Sequence, residues 1–234
     1  TNRRIKALVP MHTFGHAVEL EELQVICEKY HLILVEDAAE SLGTYYKGKQ
    51  TGSFGKVSAI SFNGNKIMTT GGGGAILTDD EALADYAKHI TTTAKVPHRW
   101  EFDHDEVAFN YRLPNINAAL GCAQLEKMPE FIKQKRALTA FYEELVAPLE
   151  GVTLFKEPAN SFSNYWLQTL ILDDTLVRDD VLAFLNDHGV MSRPIWTPLH
   201  KLKPYRDCPR ADLSTIERLN KKIINIPSTP IKEG

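Results

Sequence analysis

Apolar residues in the first eighty positions fall into short solid blocks, with one longer stretch of helical spacing between them. "KALVP" reads as a short buried strand, and "VELEELQVICEKYH" then sets Leu20, Leu23, Ile26, Cys27 and Tyr30 along one helical stripe. "LILVED" is a second strand. Strand, helix and strand in this order predict a βαβ unit whose strands run parallel beneath a right-handed crossover. "KVSAISF" and "GGAILT" add two further strands, and "DEALADYAKHI" a helix with Asp79 as its expected N-cap. The fold class is therefore α/β.

From about residue 114 the pattern lengthens into "NINAALGCAQLEKM" and "EFIKQKRALTAFYEELVAPL", two helices with Pro129 as the expected break. After Gly151 it changes again, to the strands "VTLF" and "YWLQTLIL" and the helix "RDDVLAFLNDHG". This shift predicts two domains, a partial large one over residues 1–140 and a small α+β one over 141–234. No repeat, low-complexity run or linker-like stretch separates them.

Composition narrows the function. With 43% apolar and 24% charged residues the chain has the make-up of an ordinary soluble globular protein. A net charge of −3 argues against nucleic acid as the main partner, because phosphate binding usually leaves an excess of Lys and Arg. The basic cluster Lys133, Lys135 and Arg136 reads as a solvated helix face. Cys27, Cys122 and Cys208 have no paired spacing, which suggests neither disulfides nor a thiolate metal site and favours a reducing cytoplasm. No apolar run approaches the roughly 18 residues of a membrane span, and "TNRRIKALVP" lacks the core of a signal peptide. Residues 1–6 are polar apart from Ile5 and a buried strand is expected at once after them, so the chain is expected to begin in mid-fold.

The candidate chemistry gathers where two strands end. In open α/β sheets ligands collect beyond the carboxyl ends of the strands, where Asp37 follows "LILVE" and Lys66 follows "AISF". The glycine run "TTGGGG" that comes next is no phosphate cradle: Lys66 precedes it, and it leads into a strand instead of a helix. An acid at a buried strand end needs a cationic partner, and a protonated pyridine nitrogen would be one. The small Ala38 and Ala39 leave room for a flat ring. A partly desolvated lysine beside it would form a Schiff base and shuttle protons, which is pyridoxal phosphate chemistry. Ser61 offers its hydroxyl to the phosphate. A zinc site on His12 and His16 is poorly supported, because Gly15 lies between them and no third ligand is in register.

"VEDAAESLG", "GSFGKVSAISFNGNK" and "TTGGGG" together resemble the DegT/DnrJ family of fold-type I, pyridoxal phosphate-dependent sugar aminotransferases. The resemblance continues through "PMHTFGH", "FNYRLPNINAALGCAQLEKM", "SRPIWTPLH" and "NIPSTP", from about residue 7 to 230. It implies Lys66 as the Schiff-base lysine, Asp37 on the pyridine nitrogen and Ser61 on the phosphate. Glu40 falls where the family usually has a glutamine beside the cofactor's 3-hydroxyl. Asn110 matches a residue that reaches the phosphate of a neighbouring subunit, so a homodimer is implied, with Tyr111 and Arg112 lining the same interface. Arg193 and His200 match a segment that approaches the sugar in relatives.

Two departures qualify the match. Gly72 stands where a glutamate is common, which looks most like the branch acting on UDP-linked 4-keto N-acetyl sugars. Relatives also carry an upstream segment that contributes to the phosphate site and stacks a ring on the cofactor, and no counterpart is present here. The implied activity is amino transfer from glutamate to the C-4 ketone of a nucleotide-linked 4-keto-6-deoxy N-acetylhexosamine, in the synthesis of surface-glycan precursors. A dehydratase is disfavoured because that branch replaces the lysine by histidine. The alternative is a catalytically silent fragment that serves as a dimerising or sugar-nucleotide-binding module, or one completed by a separate N-terminal segment.

Overall fold

The structure is a computed structural model and describes residues 4–230; the first three residues of the polar start lie outside it. In chain order the elements are β1 (Ala7–Leu8), α1 (Leu20–Tyr30), β2 (Ile33–Asp37), β3 (Tyr45–Tyr46), β4 (Lys49–Gln50), β5 (Val57–Ser61), β6 (Gly74–Leu77), α2 (Glu81–Thr91), α3 (Asn115–Glu126) and α4 (Met128–Val146). There follow β7 (Val152–Leu154), β8 (Ser161–Phe162), β9 (Gln168–Leu172), α5 (Arg178–Asp187), β10 (Arg193–Pro194), α6 (Ser214–Asn220) and β11 (Ile223–Ile226). The chain divides into two compact units, Ile5–Ile132 with Pro158–Asn164, and Lys133–Glu157 with the residues from Tyr165 onward. The division thus falls inside α4 after Ile132, where the sequence pattern placed it near residue 140.

The first unit holds a four-stranded sheet in the order β1-β2-β5-β6. β1 and β2 pair in parallel with Ala7 opposite Ile33, and β2 and β5 in parallel with Val35 opposite Val57. β6 runs antiparallel to β5, with Ser58 opposite Leu77, because the link between them is a turn and carries no crossover helix. Helix α1 buries Leu20 and Cys27 in a core with Ala17, Leu34 and Tyr46, against which Leu8, Val18, Leu32 and Phe54 pack. The predicted stripe is narrower than expected, since Ile26 and Tyr30 are 41% and 57% exposed. A second core joins Ile67 and Met68, just past Lys66, to Met128 and Ile132 at the start of α4. That packing anchors the chain on the far side of the candidate lysine.

Two local expectations are corrected. The N-cap of α2 is Asp80, whose carboxylate accepts from the Leu83 amide at 3.0 Å, and not Asp79. The expected break between α3 and α4 is present but falls at Lys127, the C-cap of α3; Pro129 lies just past it in the first turn of α4, where its missing N–H is no loss.

The second unit is built on an antiparallel sheet in the order β10-β11-β9-β7, with Leu154, Leu170, Leu172, Ile224 and Ile226 as its core. Here the basic cluster departs from its expected place on a solvated face. Lys133 is exposed, but Lys135 donates to the carbonyls of Trp166 and Ser228, and Arg136 makes a two-pronged ion pair with Glu157 at 2.7 and 2.8 Å. Burial pushes the Lys135 amine down to about 8. A lysine whose folded value is depressed penalises the folded state while it is charged, and the penalty is relieved as the pH rises from about 8 towards the unfolded value of 10.5. Lys135→Met is therefore expected to flatten a rise in stability over that window, at most about 3 kcal/mol by the conversion of one pKa unit to about 1.4 kcal/mol. Denaturant midpoints of the two proteins from pH 7 to 10 would show it; parallel profiles would refute it.

Candidate active site

The carboxyl end of β2 is pinned on both sides. The Asp37 amide donates to the Pro10 carbonyl at 2.9 Å, the His12 amide donates to the Asp37 carbonyl at 3.1 Å, and the Ala38 amide reaches the Ala59 carbonyl of β5 at 3.0 Å. The Asp37 side chain is half-buried, and its Oδ1 accepts from the Ala39 amide at 3.2 Å. One turn on, Glu40 is 8% exposed. Its Oε2 accepts from the Phe14 amide at 2.7 Å, and its Oε1 stands 3.7 Å from Lys66 Nζ. Phe14 adopts φ 60°, a left-handed conformation unusual for an aromatic residue, and this aims its amide at Glu40.

Lys66 follows β5 on a turn closed by its own amide to the Asn63 carbonyl at 3.1 Å, and its side chain is 12% exposed. Ser61, the last residue of β5, is half-buried, and its Oγ accepts from the Asn63 amide at 3.3 Å. Burial pushes the Glu40 carboxyl above the usual range; the Phe14 amide and the Lys66 ammonium pull it down and the Asp37 charge pushes it up again. Asp37, Glu40 and Lys66 therefore share one electrostatic environment.

Sequence reasoning missed the support behind this cluster. Glu36 and His12 are both fully buried, and His12 Nε2 lies 2.9 Å from Glu36 Oε2. His12 Nδ1 accepts from the Val18 amide at 3.3 Å, which assigns the ring proton to Nε2 and makes His12 the donor to Glu36. Glu36 also accepts from the amides of Gly52, Phe54 and Gly55 at 2.8, 2.6 and 2.7 Å. Burial alone would raise this carboxyl, but its bonds to His12 and the three amides outweigh it and hold the group below the ordinary range. Strand periodicity carried the signal: adjacent acids in "VED" must face opposite sides of the sheet, so one of them points away from the ligand. His12 is accordingly engaged with a carboxylate.

The glycines after Lys66 close the turn into β6. Gly73 has φ 95°, and a Cβ on Gly74 would lie 2.3 Å from the Ile60 carbonyl oxygen, so any side chain there would force β6 off β5. Gly72 has open space around its Cβ position, and the Thr70 hydroxyl donates to its carbonyl.

The remaining candidates have surroundings of their own. Asn110 is exposed and forms an isolated bridge with Thr92. Tyr111, 71% exposed and stacked on Phe109 at 5.0 Å, and Arg112 border a cavity of about 850 Å³ with Gly72, Gly73, Lys88 and Asn117, a cavity that Lys66 and Asp37 do not line. Within one chain these three are not gathered around Lys66. In the second unit, Arg193 Nη1 donates to Asn186 Oδ1 at 3.0 Å and to the Ser192 carbonyl at 2.8 Å, and His200 Nε2 pairs with Glu217 Oε1 at 2.8 Å.

Residues 1–232 match the sequence profile of the DegT/DnrJ/EryC1/StrS aminotransferase family. The chain belongs to this family. It is 41% identical over 195 residues to a putative pyridoxal phosphate-dependent aminotransferase, EpsN, of Bacillus subtilis, a match that covers 83% of this chain and 50% of that protein. It is 35% identical to the GDP-perosamine synthase of Vibrio cholerae, over 98% of this chain and 63% of the relative. Among solved structures, Helicobacter pylori PseC, an aminotransferase involved in the biosynthesis of pseudoaminic acid, superposes with a TM-score of 0.91 at 26% identity, covering 97% of this chain and 62% of that one. The fold is thus that of fold-type I sugar aminotransferases, as the sequence predicted, and the chain spans only half to three-fifths of its relatives' length. The donor set suits the cofactor of this family: an amine for an aldehyde, a strand-end carboxylate for a pyridinium and a hydroxyl for a phosphate.

Proposed function

We propose that the protein to which this chain belongs is a pyridoxal phosphate-dependent aminotransferase of nucleotide-linked keto sugars, with Lys66 as its reactive amine. The observation that carries this reading is the Lys66 amine 3.7 Å from Glu40, in the shared field of the Asp37 carboxylate. Bound pyridoxal phosphate supplies an aldehyde that combines with amines and an electron-withdrawing pyridinium ring. Lys66 offers Nζ as the nucleophile, and afterwards holds and returns the proton moved between donor and acceptor carbons. Asp37 keeps the ring nitrogen protonated, and its own orientation is held by the Ala39 amide. Ser61 at the end of β5 binds the phosphate. Glu40 fixes the Phe14 turn through its amide and partners the Lys66 charge. Asn110 completes the phosphate site of a second subunit, with Tyr111 and Arg112 at that interface, which makes the active form a homodimer. The position of Tyr111 and Arg112 at a cavity that Lys66 does not line fits that cross-subunit role.

The acceptor is a 4-keto-6-deoxy N-acetylhexosamine linked to UDP, and the donor glutamate; family membership and Gly72 in place of an acid support this choice. Arg193 and His200 serve the sugar side. Among the described residues no helix is long and apolar enough to cross a membrane, and we place the reaction in the cytoplasm. Incubation with pyridoxal phosphate, borohydride reduction and peptide mapping are expected to leave a phosphopyridoxyl group on Lys66, and glutamate is expected to yield 2-oxoglutarate when a UDP- or GDP-linked 4-keto sugar is supplied. Absence of the Lys66 adduct would sink the proposal. Adduct-free protein that still bound nucleotide sugar would support the binding-module alternative.

A further inference from the structure

The segment expected to meet the sugar, "SRPIWTPLH", has its two polar candidates committed locally: Arg193 to Asn186 and Ser192, and His200 to Glu217. Between them stands Trp196, with 57% of its surface open to solvent. An exposed indole is by itself ordinary. This one is braced. It lies nearly parallel to Trp166, with ring centroids 6.2 Å apart and planes at 12°, and Trp166 is 3% exposed. Its backbone carbonyl accepts from Asn220 Nδ2 at 3.1 Å, and Pro194 and Pro198 flank it with fixed φ. A large apolar ring held rigid at the surface has already met the entropy cost of presenting a flat face.

The charge around it is equally uneven. Residues 193–210 carry Arg193, Lys201, Lys203, Arg206 and Arg210 against Asp207 alone, in a chain whose net charge is −3. Residues 201–210 are all exposed, so this positive stretch is offered to solvent and not consumed in a core. A flat aromatic face on the same chain segment as this run of cations, with Glu217 beside His200 as a counter-charge, matches a ligand with a π-system at one end and two phosphates next to it.

We propose that residues 193–210 form the recognition surface for the nucleoside diphosphate of the substrate, with Trp196 stacking on the base and Lys201, Lys203 and Arg206 attracting the diphosphate. This rests on the nucleotide-sugar reading above and deepens it, because it assigns the nucleotide half to Trp196, Lys201, Lys203 and Arg206, which that reading leaves unused. Stacking accepts any base, since each has a π-face, so UDP and GDP are both expected to bind and selection between them lies outside Trp196.

Calorimetric titration of the full chain with UDP, GDP and inorganic pyrophosphate tests the surface without any cofactor. Wild type is expected to bind both nucleotides more tightly than pyrophosphate. Trp196→Leu should weaken UDP and GDP about tenfold, the lower part of the range for loss of one base–aromatic stack, and leave pyrophosphate unchanged, while Trp196→Phe retains most of the affinity. Lys203→Gln with Arg206→Gln should weaken all three ligands and lessen their dependence on salt. Equal UDP affinity in wild type and Trp196→Leu overturns the platform, and so does a wild type that binds UDP no better than pyrophosphate. If Trp196→Leu unfolds, the indole N–H resonance of Trp196, assigned with the Phe variant, decides: it must shift with UDP and not with pyrophosphate. Lost nucleotide binding with the adduct still formed at Lys66 overturns this surface alone; nucleotide binding without the adduct overturns the aminotransferase alone.

Discussion

Lys66→Ala is expected to abolish covalent capture of pyridoxal phosphate and to lower amino transfer from glutamate by about three orders of magnitude or more. A positioned general acid–base is worth roughly 10² to 10⁴ in rate, and Lys66 serves as nucleophile as well. The variant should fold: Lys66 sits on a turn, and the apolar anchors Ile67 and Met68 that follow it are unchanged. Removing the ammonium takes away one of the influences that favour the ionised Glu40, whose carboxyl burial already pushes upward. The loss should therefore resist rescue by Glu40, a carboxylate that has the reach but not the chemistry. Absorbance titration with the cofactor, reductive trapping and a coupled assay for 2-oxoglutarate measure it; a variant that still turns over would remove Lys66 from the mechanism.

The second large effect is on stability. Glu36→Ala is expected to cost about 3–5 kcal/mol, the scale for deleting one member of a buried charged network and stranding its partners. The partners are the amides of Gly52, Phe54 and Gly55 and the His12 ring, all left without their acceptor. Glu36→Gln should lose less, because its amide oxygen can still accept. Since the folded-state value of Glu36 is depressed, its contribution is complete above the ordinary carboxylate range and is lost as the pH falls below it. Wild type should accordingly weaken in acid more steeply than Glu36→Gln. Urea unfolding at neutral pH and in acid checks both statements; an Ala variant within 1 kcal/mol of wild type would contradict the first.

These two residues mark how far the sequence could be read. Lys66 and Asp37 were legible because each follows a strand whose solid apolar run identifies it locally, and the α/β rule puts strand ends on one edge. Glu36, one position from Asp37, was not. Its role depends on His12 and on the loop at 52–55, segments 24 residues upstream and 16 to 19 residues downstream that meet only after β1, β2 and β5 align. Lys135 and Arg136 looked like solvent-facing charges because helical spacing says nothing of what lies across from them; their partners at 157, 166 and 228 come from distant chain.

By itself, then, the sequence determined the class of fold, the order of its longer elements as far as α5, the family and the pair of strand-end groups suited to pyridoxal phosphate; the short strands β3, β4, β8 and β10, and α6 with β11, were not read from it. The features it determined reside in local periodicity and short ordered motifs, where neighbours in the chain are also neighbours in space. The antiparallel turn of β6, the contact of Glu40 with the Phe14 amide and Lys66, the buried His12–Glu36 support and the bracing of Trp196 by Trp166 were decided by tertiary structure alone. Each joins residues separated by at least 13 positions, and the burial that gives such a contact its strength exists only once the chain has closed around it.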